Sequence, residues 1–276
     1  MFAHQVIEDL KVFQETIIEK QFREDAFQHI KNSLILSQKF HLEDIKSLYS
    51  STSQFNDKKL FHKETFVRLP YKVCWFDYLD NQVGKIGILA EDNIINNISY
   101  GLSFIVFLYY PKEHLWCLTP VSFAVIYADD CDDGSFHAGQ LMKDHPICDE
   151  IIELQAQHYG TLLNATLMLL SCKNIITKDN LPPVKLNLKR QKHGKCPVFT
   201  YKTLVLKPTT QYEKSIPQHL WENRIHLCRG HFKEYTPEHP LFGKLTGRYW
   251  WQPHVRGQNH DGIVMKDYEV KQAIAV

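Results

Sequence analysis

The stretch Ser103-Phe-Ile-Val-Phe-Leu-Tyr-Tyr110-Pro-Lys-Glu-His-Leu115-Trp-Cys-Leu-Thr-Pro-Val-Ser-Phe-Ala-Val-Ile-Tyr127 decides the fold. Two runs rich in aromatic and β-branched residues flank Tyr110-Pro111-Lys112-Glu113. Such residues fit a pleated, half-buried surface, and proline near the start of a polar tetrapeptide favours a reverse turn. The stretch reads as a hairpin. Upstream, Tyr71–Tyr78 and Lys85–Ala90 have the same character, and Gly84 and Gly87 mark turns or bulges. Consecutive strands separated by short turns give an antiparallel sheet.

On either side of the sheet the period changes from two to about three and a half. Phe2, Val6, Leu10, Phe13, Ile17 and then Phe27, Ile30, Leu34 recur at helical spacing, so helix is expected from Phe2 to about Phe40. A second short helix is expected over His41–Tyr49, followed by a polar loop over Ser50–Lys59. Cys148–Cys172 reads as a long helix whose second half, Leu162 to Leu170, is apolar nearly all round and belongs in the core. Leu181-Pro182-Pro183 closes this body, and Val198–Leu206 is a further strand. The expected fold is α+β: N-terminal helices, a central antiparallel sheet with a buried core helix, and a small β-rich basic C-terminal unit. The expected divisions are 1–60, 61–183 and 184–276.

Composition excludes several classes. A chain of 276 residues that is 44% hydrophobic has enough apolar material for a sizeable core. No uncharged apolar run reaches the length that spans a bilayer, and Met1–Lys20 lacks the pattern of a signal peptide. Seven cysteines, an odd number without a CxxC pair, argue against a disulfide framework and for the cytoplasm. Cys74, Cys117 and Cys172 lie in apolar runs and read as small buried hydrophobes. The phosphate-loop, dinucleotide, kinase and G-x-S-x-G signatures are absent, and no cofactor is expected. Asp129, Asp130, Asp132 and Asp133 before Gly134 lack the ligand spacing of a calcium loop and read as a solvated loop.

The net charge of +1 conceals a division. Residues 185–276 carry 16 Lys+Arg against 7 Asp+Glu, a net of +9, and the remainder carries 16 against 24, a net of −8. A basic segment on an acidic body implies a polyanionic partner for the former, or docking between the two. The segment opens with Lys185, Lys189, Arg190, Lys192 and Lys195. It continues through His226, Arg229, Gly230, His231, Lys233 and Tyr235 to Arg248, Tyr249, Trp250, Trp251, His254 and Arg256. If extended, His231, Lys233 and Tyr235 share one face, and Trp250 and Trp251 fall on opposite faces of a neighbouring strand.

Three readings of this cluster stay open. In the first it binds nucleic acid or a peptide: Lys189, Arg190, Lys192, Lys195, Arg229, Lys233, Arg248 and Arg256 neutralise phosphates while Trp251 stacks on bases. In the second it is a metal-independent RNase with His226 and His231 as base and acid and Tyr235 as an alternative proton donor. In the third the imidazoles and rings are structural. His226, Cys228, His231, His239 and His254 offer H-x-C and C-x-x-H spacings, but no second close pair, so no metal is expected.

The pattern H-x-x-R-G-H-x-x-x-Y on His226, Arg229, Gly230, His231 and Tyr235, then R-x-x-W-Q-P on Arg248, Trp251, Gln252 and Pro253, resembles a known C-terminal signature. It is that of the phage and mobile-element family of a type V-A anti-CRISPR protein that blocks biogenesis of the CRISPR effector nuclease. Weaker similarity covers Leu69-Pro70, Cys74–Asp77, Leu167–Cys172 and Asn187–Lys195. Cys228 stands where the family usually has arginine, which removes one phosphate-binding charge. The resemblance implies a counter-defence protein in the host cytoplasm. Its expected partners are a nascent polypeptide, its messenger RNA or the ribosome of a host defence protein. A peptide-accepting groove is expected around Trp75–Tyr78.

Overall fold

The computed structural model describes residues 2–13, 24–42, 68–80, 84–95, 99–127, 135–141, 149–206, 226–228, 230–251 and 254–256. It is an α+β protein. In chain order the elements are α1 (Ala3–Phe13), α2 (Glu24–Leu36), β1 (Gln38–Leu42), β2 (Val73–Asp80), β3 (Gly84–Ile95), β4 (Ser99–Tyr110), β5 (Leu115–Tyr127) and β6 (Ser135–Gln140). There follow α3 (Asp149–Leu170), β7 (Ile175–Asn180), α4 (Val184–Lys192), β8 (Tyr201–Leu206), β9 (His226–Cys228), β10 (His231–Tyr235), β11 (Gly247–Trp251) and β12 (His254–Arg256). No helix among the described residues is long and apolar enough to cross a membrane.

Eight strands form one sheet in the order β6-β5-β4-β3-β2-β1-β8-β7. The quoted hairpin is its backbone: β4 and β5 pair antiparallel from Tyr100↔Tyr127 to Tyr110↔Leu115, with an irregularity between Ile105 and Phe107. The sheet is mixed, not antiparallel throughout, because β1 runs parallel to both its neighbours, β2 and β8. Helix was expected up to Phe40 and again from His41, and this is corrected: Gln38–Leu42 is an interior strand. Its period is two. Phe40 and Leu42 join the core on one face, while Lys39 and His41 project from the other. The sheet draws strands from all three expected segments, since β1 precedes residue 60 and β8 follows residue 184. The acidic loop at 129–134 and the expected helix and loop over 43–59 lie outside the described residues.

Two layers cover the sheet. On one face α3 packs Tyr159, Leu162, Leu163 and Leu167 over Phe76, Tyr78, Ile88, Phe104 and Phe123. Each fully buried side chain of this size contributes about 1.5–3 kcal/mol. On the other face α1 and α2 place Val6, Leu10, Phe27, Ile30 and Leu34 against Trp75, Leu89, Phe107 and Trp116. Gly87 makes that face possible: a Cβ there would lie 2.1 Å from Cη2 of Trp75. The indole occupies the space a side chain would need.

Candidate functional site

The tail hairpin is built as its alternation requires. β10 and β11 pair antiparallel, His231↔Trp251, Phe232↔Trp250, Lys233↔Tyr249, Glu234↔Arg248 and Tyr235↔Gly247. Phe232 and Trp250, 4.7 Å apart between ring centroids, point inward onto Ala165, Leu169 and Cys172 at the end of α3. Asn174 clasps the hairpin from outside. Its side-chain amide donates to the Trp250 carbonyl at 2.7 Å and its oxygen accepts from the Trp250 N–H at 3.0 Å. The Lys173 N–H donates to the Arg248 carbonyl at 2.9 Å. The hairpin is thus fixed to the body.

The opposite hairpin face carries His231, Lys233 and Tyr235. Lys233 is exposed, and its Nζ lies 4.9 Å from the Tyr235 ring centroid. Tyr249 and Trp251 share this side, but Tyr249 is buried, Trp251 is half-buried, and the Trp251 Nε1 finds no hydrogen-bond partner among the described residues. Beyond the hairpin, β9 and β12 pair His226↔Arg256 and His254↔Cys228, which joins the two halves of the sequence motif at backbone level. The side chains of His226, Arg229 and Arg256 lie outside the described residues, so the expected His226–His231 pair is not placed.

The basic stretch is a helix, Val184–Lys192, followed by a turn. α4 has no buried residue, and Lys185, Lys189, Lys192 and Lys195 are all exposed. Two of the expected phosphate contacts are engaged internally. The Arg190 guanidinium donates to Glu8 at 2.8 Å and to the Cys196 carbonyl at 2.7 Å. Arg248 donates to Glu234 at 3.3 Å and to the Ser171 hydroxyl at 3.2 Å. Both are structural clasps. The expected groove around Trp75–Tyr78 is corrected too. β2 is paired on both edges, by β1 and β3, and Trp75, Phe76 and Tyr78 are buried, so no peptide can add there.

A second polar site was not expected from the sequence. Asp77, fully buried in β2, accepts through Oδ2 from the Trp75 indole N–H and the Phe2 backbone N–H, both at 3.0 Å. Its Oδ1 is bonded to Nδ1 of His41, its register partner on β1. The other imidazole nitrogen, Nε2, makes no hydrogen bond among the described residues. The His41 ring sits edge-on between Phe2 and Tyr201, 5.8 Å from each ring centroid. In the neutral form of such a ring, a carboxylate that holds one nitrogen as the N–H donor leaves the other its lone pair, the arrangement of a general base. The signal was legible as an acid within the apolar run Cys74-Trp75-Phe76-Asp77-Tyr78, since a buried charge requires a partner.

Neighbouring groups on this face are strongly perturbed. Burial, assisted by Arg190, pushes the His4 imidazole down to about 4, and its Nδ1 has no partner among the described residues. Burial also pushes the Lys39 ammonium down to about 8. Its Nζ caps the end of α2, donating to the Ile35 carbonyl at 2.7 Å and the Ser37 carbonyl at 2.6 Å. Lys39 also borders an open groove of about 600 Å³ lined by Gln38, Asp179, Phe199, Thr200 and Lys202. Cys74 and Cys172 are pushed up to about 12 by burial, which leaves both as unreactive thiols. No group of three potential metal ligands occurs among the described residues.

No known protein family, curated protein or solved structure matches this chain.

Proposed function

We propose that this chain is an RNA-directed counter-defence protein of the mobile-element kind, acting on a nascent chain or its messenger RNA. The observation that carries the reading is the outer hairpin face, where His231, Lys233 and Tyr235 stand together on a strand anchored from behind by Phe232 and Trp250. A cation beside an aromatic ring on a rigid support suits a phosphate and its neighbouring base. The net charge of +9 over residues 185–276 and the exposed lysines of α4 and its turn support it. The resemblance of the tail motif supplies the cellular role.

Fluorescence anisotropy with single-stranded RNA tests the binding. Affinity should fall steeply with salt, and Lys233→Ala and Tyr235→Ala should each weaken binding by about 1 kcal/mol or more. Salt-independent binding, or variants that bind as the parent does, would reject it. For the cellular role, messenger levels of a panel of co-expressed defence genes should fall for at least one target. Unchanged levels throughout would count against it.

The His41–Asp77 pair favours a second, enzymatic reading, in which the chain cleaves the RNA it binds. His41 Nε2 takes the proton of a ribose 2′-hydroxyl, the 2′-oxygen bonds to phosphorus, and the 5′-oxygen leaves with a proton from water. Cleavage in chelator that is lost in His41→Ala but kept in His231→Ala would support it. Cleavage lost only in His231→Ala would return the chemistry to the tail, and no cleavage by the parent would remove the reading.

A further inference from the structure

α4 is oriented against the usual rule for a surface helix. Polar side chains attach it to the body. Arg190 reaches Glu8 and the Cys196 carbonyl, while Asn187 donates to the Val198 carbonyl at 2.9 Å and accepts from the Val198 N–H at 2.8 Å. Its apolar residues look outward. Val184 is 74% exposed and Leu188 53%, one helical turn apart, and Leu181 just before the helix is 80% exposed. Beside this stripe run Lys185, Lys189 and Lys192, a second stripe at spacings of four and three. None of the three makes an ion pair among the described residues. Lysines account for a polyanion, but RNA does not account for a row of exposed branched side chains.

The complementary surface lies on the same chain. α3 is buried along its second half, and its first two turns set Ile152 and Ala156 against the core while another face is exposed. Ile151 is 47% exposed and Leu154 67%, three residues apart on one side of the helix. Glu150 and Glu153, both exposed, flank them at the same spacing, and neither makes an ion pair among the described residues. One helix therefore presents an apolar pair edged by carboxylates, the other an apolar pair edged by ammonium groups. The charge division between body and tail, −8 against +9, is the same complementarity at the scale of the whole chain.

We propose that the outer face of α4 docks on the first two turns of α3 of a second copy of this chain. Val184 and Leu188 meet Ile151 and Leu154, and Lys185 and Lys189 face Glu150 and Glu153. The contact joins two different faces: repeated about a two-fold axis it closes an isologous dimer, and repeated head to tail it builds a heterologous chain. A surface this small lies at the weak end of specific interfaces. The proposal does not rest on RNA binding. Both uses draw on Lys189, so RNA held there and the second copy exclude one another.

Sedimentation equilibrium of the full chain from about 10 to about 200 µM, at low and high salt, reads the outcome in the range expected of a small interface. The weight-average mass should rise above that of one chain at low salt and fall back at high salt. Lys185→Glu with Lys189→Glu, and separately Glu150→Lys with Glu153→Lys, should each weaken association by about tenfold or more. All four positions are exposed, so the fold should be retained, and circular dichroism checks it. Mixing the two double variants should restore association, because each helix then meets its opposite charge again. A one-chain mass at every concentration would overturn the proposal. So would charge variants that associate as the parent does, or mixed variants that stay apart.

Discussion

α3 and α4 hold their places by opposite means. Along its second half α3 sinks Leu162, Leu163 and Leu167 into one apolar core and Leu169 into another, and the Thr166 hydroxyl meets that of Tyr78 at 3.0 Å. α4 sinks nothing and is held by Arg190, Asn187 and the chain that follows it. Both are rich in aliphatic side chains, so aliphatic content alone does not decide which helix is interior. The difference lies in what faces the body. Apolar burial is non-directional and cumulative, whereas a polar clasp rests on a few groups and is open to pH and substitution.

The comparison breaks most severely in α3. Leu163→Ala leaves a cavity beneath the sheet and should cost about 2–5 kcal/mol, measured as a lower urea midpoint. Acid tests the clasp side next. The buried His4 imidazole, pushed down to about 4, takes up a proton in the unfolded chain near 6.5 but not in the folded one. The unfolded state therefore binds more protons between these values, and stability should fall by about 3 kcal/mol as pH drops from about 6.5 to about 4. His4→Gln should remove that part of the acid dependence. Smaller again, Glu8→Gln weakens the half-buried pair with Arg190 and should cost about 1 kcal/mol. Amide exchange should quicken in α4 and stay unchanged in α3; equal quickening would show that the two helices are not independently held. Least of all, Val184→Ser should change stability by no more than about 0.5 kcal/mol, read by the same urea titration.

What the sequence disclosed follows from how local each signal is. β2 to β5 and α3 were legible because long aromatic and β-branched runs, or a helical period, carry their own evidence at Phe104, Phe123 and Leu163. β1 was not, since Gln38–Leu42 directly follows a helical pattern and its conformation is set by β2 and β8, both remote in sequence. With β1 misread, Lys39 and His41 lost the face on which they stand, and the His41–Asp77 pair could not be found. β7, Ile-Ile-Thr-Lys-Asp-Asn, was missed because an edge strand needs no apolar alternation. The hairpin face of His231, Lys233 and Tyr235 was legible from period-two spacing alone. The internal engagement of Arg190 and Arg248 was not, because Glu8 and Ser171 are far away in the chain.

The parallel seam at β1 has a consequence for synthesis on the ribosome. β2 can join β1 soon after both have emerged, but the other flank of β1 waits for β8, which is made most of a chain length later. Throughout that interval the half-built sheet carries an open backbone edge, a template for pairing with any extended segment nearby. Slowing elongation before Tyr201 should therefore lower the yield of native protein, and supplying the missing strand in trans as a short peptide should recover it.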